Sequence, residues 1–141
     1  NPTERVISGF YQRKKMHGIS GTIEQFFDDQ FARDKAGEKS ILATGHYLGL
    51  HQYCGQTLGK DRLLLTCSER LFAQPKEAME KIFNHLELDP AANRREFPAD
   101  NVGAYPDASP ELVTRLDSYF APLNENFFEY IGEDLGWNAD R

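Results

Sequence analysis

Apolar residues recur at helical spacing in separate stretches of this 141-residue chain, and most stretches carry their own start signal. Val6 and Phe10 lie one turn apart behind Asn1, a good N-cap, and Pro2, which suits the first helical position. Glu4 completes an N-x-x-E capping box there. Gly18 and Gly21 punctuate the chain before Thr22 and Gln25, a T-x-x-Q box that opens a second helix with Ile23, Phe26, Phe27 and Phe31 on its apolar side. DKAGEK at 34–39 is a solvated loop. From Ser40 to about Leu58 the positions of Leu42, Tyr47, Leu50 and Tyr53 are close to helical, weakened by Gly45 and Gly49. Pro75 starts a helix that runs to about Leu86, with Ala78, Met79, Ile82, Phe83 and Leu86 inward. Ser109 caps a final helix with Pro110 first and Leu112, Leu116, Tyr119 and Phe120 as its stripe. Pro122 kinks or breaks that helix before Asn124–Tyr130 continue it.

Two stretches depart from helical spacing. In GKDRLLLTCSERL, three consecutive leucines behind a glycine-containing turn read as a short strand buried on both faces, as parallel strands are. Residues 87–108 hold three prolines and no period, and read as a long irregular loop. One strand among four or five helices predicts an α/β fold, a layered parallel sheet whose other strands lie upstream. The pattern shows no internal repeat and no low-complexity tract.

Composition adds bounds rather than a function. A 40% hydrophobic, 12% aromatic chain can build a core. A formal net charge of −6 with a pI near 5.2 argues against nucleic acid or an anionic membrane as the main partner, since both demand a broad basic field. No apolar run approaches the roughly 18–20 residues that span a bilayer, and no signal peptide is visible. Cys54 and Cys67 lack metal spacing and read as buried free thiols, which favours a reducing compartment. His46 and His51 are five apart, so they do not form an i, i+4 metal pair; with His17 and His85 they read as packing or surface residues. Glu69 reads as a local cap or ion-pair partner.

The charge is uneven, and that directs attention to the first helix. Residues 1–17 carry Arg5, Arg13, Lys14 and Lys15 against Glu4 alone, whereas residues 107–141 carry eight acidic groups and two basic ones. Arg5, Ser8, Gln12 and Lys15 are spaced i, i+3, i+7 and i+10, which puts them on one stripe opposite Val6 and Phe10. A helix start with unpaired N–H groups, a favourable dipole and a serine one to two turns in can hold a phosphate. A plain solvated basic face is the competing account.

NPTERVISGFYQ resembles the [ND]-P-x-x-R-x-x-S-x-Y segment of sulfotransferases that use 3′-phosphoadenosine 5′-phosphosulfate. The likeness continues in order: ILATGHYLGLHQYCGQTLGKDRLLLTCSERLFAQP resembles that family's helix, strand and E-x-L-x-x-x-P turn, and KEAMEKIFNHLEL its next helix. PELVTRLDSYFAPLNENFFEYIGEDLGW resembles its closing helix, with the G-x-D-x-G-W ending common in carbohydrate-type and bacterial members.

The resemblance implies that residues 1–141 form the C-terminal portion of one sulfotransferase domain. That domain has a three-layer, P-loop-like parallel-sheet fold, and its N-terminal half with the nucleotide loop, a lysine and the catalytic base precedes residue 1. It implies transfer of a sulfuryl group from 3′-phosphoadenosine 5′-phosphosulfate to a hydroxyl or amine of a small-molecule or carbohydrate acceptor. Ser8, with Arg5, would face the 3′-phosphate; Gly103, Ala104 and Tyr105 in DNVGAYPD would line the nucleotide; Gln12 and Lys15 would face the acceptor. Ala104 stands where a basic residue is common. The alternative is a sulfotransferase-like structural or binding subunit of a larger assembly, without catalysis, whose partner is a protein or the N-terminal half. A generic adenine-nucleotide binder is disfavoured, because no phosphate loop is present.

Overall fold

The side-chain oxygen of Asn1 accepts the Thr3 N–H at 2.9 Å and so opens helix α1 (Pro2–His17), the N-cap role read from the sequence, although the donor is the second helical residue rather than Glu4 of the expected N-x-x-E box. Gly18 closes α1 in the left-handed conformation, φ 64°, donating its N–H to the Lys14 carbonyl; the absent Cβ removes the usual steric cost. Both halves of the Thr22–Gln25 capping box form at the start of α2 (Ile23–Lys35). This computed structural model describes residues 1–92 and 108–138.

The stretch from Ser40 to Leu58 splits into a short 3₁₀ turn, Leu42–Gly45, and helix α3 (Tyr47–Leu58), with His46 as the break. Leu63 and Cys67 then bound an extended passage that leads into α4 (Ser68–Ala73) and α5 (Pro75–His85). The last helix, α6 (Pro110–Ile131), opens on the Ser109 cap and runs unbroken through Pro122. An interior proline costs about 3 kcal/mol. Leu116 and Phe120 before it and Asn124 and Phe127 after it are all buried, and that burial outweighs the lost hydrogen bond.

The chain divides into two units, Asn1–His51 with Gly103–Arg141, and Gln52–Val102. In the first, α1 and α6 pack on each other, and the 3₁₀ turn packs on α1 and α2. Val6, Phe10, Phe27, Leu42, Leu116 and Phe120 are all but closed to solvent and form one cluster. Gln30 is one of the polar residues buried in this unit, with Thr3 and Asn124, and its Oε1 accepts the Ile41 N–H at 2.7 Å. Gln30→Ala leaves that amide orphaned, and equilibrium unfolding in urea is expected to show a loss of about 1–2 kcal/mol.

The second unit packs α4 against α5. The apolar face expected for α5 is only half covered: Ala78, Met79, Ile82 and Phe83 are half-buried, and Leu86 is exposed. Among the described residues none of the buried hydrophobic side chains falls in this unit, whereas Leu58, Leu64, Leu65, Phe72, Leu86 and Leu88 are exposed.

The expected α/β fold, a three-layer parallel sheet, is overturned. Among the described residues every regular element is a helix, and no strand occurs. Leu63 (φ −106°, ψ 122°) and Cys67 (φ −102°, ψ 145°) do take extended dihedrals. A strand, however, exists only through a neighbour's N–H and C=O groups, and no ladder forms at this passage. Leu64 and Leu65 are each 40% exposed, so the double burial read from the leucine run is absent as well.

Candidate functional site

The four residues singled out on α1 share a solvent-facing stripe: Arg5, Ser8, Gln12 and Lys15 are all exposed, while Val6 and Phe10 on the other side are at 0% and 1% exposure. The helix presents them because its apolar residues fall where α6 and the 3₁₀ turn cover them. From Arg5 to Lys15 the rise is roughly 15 Å, too long for one phosphate to touch both ends. The stripe therefore acts as two pairs, Arg5 with Ser8 and Gln12 with Lys15, each pair about 5–6 Å apart at Cβ or one turn along. The Arg5 guanidinium lies over the Tyr47 ring, 5.6 Å from its centroid, which restrains the long side chain without consuming its five donors. Lys14 sits over Phe10 at 5.6 Å and, with Lys15 and His17, places positive charge at the negative end of the helix dipole.

The mouth of α1 is arranged differently from the cradle the sequence suggested. Thr3 is at 1% exposure, its N–H is taken by Asn1, and its hydroxyl donates to the Asp117 carboxylate of α6 at 2.6 Å. The Asn1 amide reaches the Trp137 carbonyl at 3.5 Å, and Pro2 has no N–H to offer. An anion at the very start of the helix would meet a carboxylate and donors already in use, so the mouth does not fit a phosphate. The donor set that fits one begins a turn further on, at Arg5 and Ser8. Gly103, Ala104 and Tyr105 lie outside the described residues.

The histidines pack as expected of structural side chains. His17 is exposed; His51 sits edge-on to Phe127 and Tyr130; His46 stacks on Tyr119 at 5.9 Å. Sequence reading did not anticipate the polar chain that His46 joins. Its Nε2 lies 2.9 Å from the Tyr119 hydroxyl, which donates to Asp34 Oδ2 at 2.7 Å, and Ser40 donates to Asp34 Oδ1 at 3.2 Å. Because Tyr119 donates to Asp34, the His46 nitrogen is the donor at the other end. Burial, then the Asp34 hydrogen bond and charge, holds the Tyr119 phenol well above its ordinary pKa, so it stays a neutral donor. The chain clasps the end of α2 to α6.

Cys54 and Cys67 are free and half-buried rather than buried. Cys67 lines, with Leu64, Leu65 and Thr66, a small cleft of about 60 Å³ against Arg70 and Lys81. That cleft belongs wholly to the unit Gln52–Val102. The three-leucine run was its signal in the sequence, although it was read there as a buried strand. Among the described residues no three His, Cys, Asp or Glu side chains stand together as metal ligands, and no helix is long and apolar enough to cross a membrane. No protein-family model matches the chain.

Proposed function

We propose that the protein is a sulfotransferase that uses 3′-phosphoadenosine 5′-phosphosulfate, and that Arg5 and Ser8 of α1 hold the nucleotide's 3′-phosphate. The observation that carries this reading is the exposed stripe Arg5–Ser8–Gln12–Lys15 on a helix whose other face is sealed in the core. The bound nucleotide supplies the activated sulfuryl group. Arg5 contributes a fixed positive charge with donors to spare, and Ser8 adds a hydroxyl one turn away, so the pair can bind a phosphate dianion from one side. Gln12 and Lys15 lie further along the same face, where a hydroxyl- or amine-bearing small molecule or carbohydrate acceptor finds a hydrogen-bonding amide and a cation. The motif order along the chain supports the same assignment.

A second reading is favoured by the closed mouth of α1, where Asn1, Thr3 and Asp117 satisfy one another. It is a sulfotransferase-like binding or structural subunit, which keeps the stripe and lacks turnover. The two readings part on product formation. A protein that binds 3′-phosphoadenosine 5′-phosphate and transfers no sulfuryl group is the second.

Calorimetry with 3′-phosphoadenosine 5′-phosphate, and with adenosine 5′-phosphate as the ligand lacking the 3′-phosphate, tests the assignment. A hydrogen bond to a charged group contributes about 1.5–3 kcal/mol, so Ser8→Ala is expected to weaken the first ligand by roughly 10- to 100-fold and leave the second unchanged. Equal affinity of parent and variant for the first ligand defeats the role given to Ser8.

A further inference from the structure

After Gly132 closes α6 in the left-handed conformation, the chain turns back onto that helix. The Asp134 carboxylate accepts the Gly136 N–H at 2.7 Å, and Gly136 takes a φ of 72°, so the turn is tight. Asn138 fastens the returning end: its Oδ1 accepts from the Nδ2 of buried Asn124 at 2.8 Å, and its own Nδ2 donates to the Ala121 carbonyl at 3.3 Å. Between these anchors Trp137 is pressed among Tyr47, Phe127 and Phe128, with ring centroids at 5.5, 6.2 and 5.4 Å. Its indole Nε1 is buried without a hydrogen-bond partner. Packing therefore sets the place of the ring, and the unmet donor is a cost that the packing outweighs.

Tyr47, the first residue of α3, joins this aromatic block to the stripe on α1. It meets Trp137 and Phe127 at 5.5 and 5.9 Å between centroids, and the Arg5 guanidinium lies 5.6 Å from the centre of the same ring. Trp137 bears on α1 a second time, because its carbonyl accepts from Asn1, whose Oδ1 caps that helix. The returning strap thus supports both things that place Arg5: the start of its helix and the ring under its guanidinium. We infer that Tyr47, backed by Trp137, is a positioning residue that presents Arg5 to the nucleotide's 3′-phosphate, a role that rests on the assignment of that phosphate to Arg5 and Ser8. An exposed arginine samples many rotamers, and binding must freeze one of them. A ring held from behind narrows the choice before the ligand arrives. Attraction to the face of the ring engages the charge and leaves the N–H donors of the guanidinium for the phosphate.

Calorimetry on the full chain with 3′-phosphoadenosine 5′-phosphate and with adenosine 5′-phosphate separates positioning from packing, with far-UV circular dichroism to check that each variant keeps its helices. Tyr47→Leu removes the ring and is expected to weaken the first ligand about three- to tenfold while leaving the second unchanged. Tyr47→Phe keeps the ring and is expected to bind both ligands as the parent does. In an Arg5→Ala background Tyr47→Leu is expected to cause no further loss, because the group it positions is gone. A Tyr47→Leu protein that discriminates the two ligands as well as the parent overturns the role of Tyr47 and leaves Arg5 and Ser8 in theirs. A Tyr47→Phe loss as large as that of Tyr47→Leu also overturns it, as does an equal Tyr47→Leu loss with and without Arg5, since the residue then acts through packing alone. A parent that binds the two ligands equally defeats the 3′-phosphate assignment itself, and the positioning role falls with it.

Discussion

Replacing Phe120 with alanine is expected to lower the unfolding free energy of the unit Asn1–His51 with Gly103–Arg141 by about 3–5 kcal/mol. The ring is at 0% exposure, stands edge-to-face with Tyr119 at 5.0 Å, and belongs to the cluster that joins α1, α2, the 3₁₀ turn and α6. Truncation removes the buried surface and leaves a cavity beside Gly45 and His46 at the 3₁₀ turn and Tyr119 of α6, so it cannot close by moving one element alone. Against a typical stability of about 5–15 kcal/mol, the change is large enough to bring the midpoint close to native conditions. Trp137 is the chain's one tryptophan and stacks at 10° on Phe127, two turns beyond Phe120 on the same helix, so its fluorescence in urea reports this unit. Phe72→Ala serves as the control: Phe72 is 69% exposed in the other unit and is expected to change stability by less than about 0.5 kcal/mol. A Phe120→Ala loss no larger than the control's would contradict the packing described.

The ends of the helices were legible in the sequence, because caps are short-range chemistry. Asn1, Thr22 and Ser109 each accept a backbone N–H two or three residues on, and Gly18 closes α1, all within four residues of the position read. Pro122 was misleading because a propensity is local, whereas the burial that overrides it comes from the rest of the unit. The leucine run misled for the same reason in reverse. Three leucines in a row state that the segment is apolar, but they carry no information on whether another strand lies beside it, and it is the pairing that makes a sheet. The break at Gly45–His46 was marked by a glycine, yet only the structure shows what the glycine makes room for.

Of the candidate site, the spacing i, i+3, i+7, i+10 predicted a common face on α1, and Arg5, Ser8, Gln12 and Lys15 do lie exposed along it. The helix start was harder to read. That Asn1 would cap was visible, but that Asp117 would arrive from α6, 114 residues away, and take the Thr3 hydroxyl depends on tertiary packing. The polar chain from Ser40 through Asp34 and Tyr119 to His46 was equally out of reach, since no motif links those positions.

Alanine at Gly45 and alanine at Gly49 are expected to act in opposite directions. A Cβ on Gly45 would lie 2.6 Å from Cε1 of Phe120 and 2.9 Å from both Cζ of that ring and Cβ of Pro2, closer than such atoms approach. Neither neighbour can move cheaply: Phe120 is sealed in the core, and Pro2 is a rigid ring in the capped first turn of α1. Overpacking of this sort costs about 2–3 kcal/mol, more than the roughly 0.5–1 kcal/mol gained by restricting the unfolded chain. At Gly49, four residues on and exposed in α3, nothing lies within 4 Å of the added carbon, so only the gain remains and Gly49→Ala is expected to stabilise by about 0.5–1 kcal/mol. Combining Gly45→Ala with Phe120→Ala separates the two contacts. The ring's clash vanishes with the ring and the Pro2 contact stays, so the double variant is expected to lose less than the sum of the single losses, while the glycine substitution still costs something in the truncated background. Strict additivity would mean that Gly45 and Phe120 do not touch.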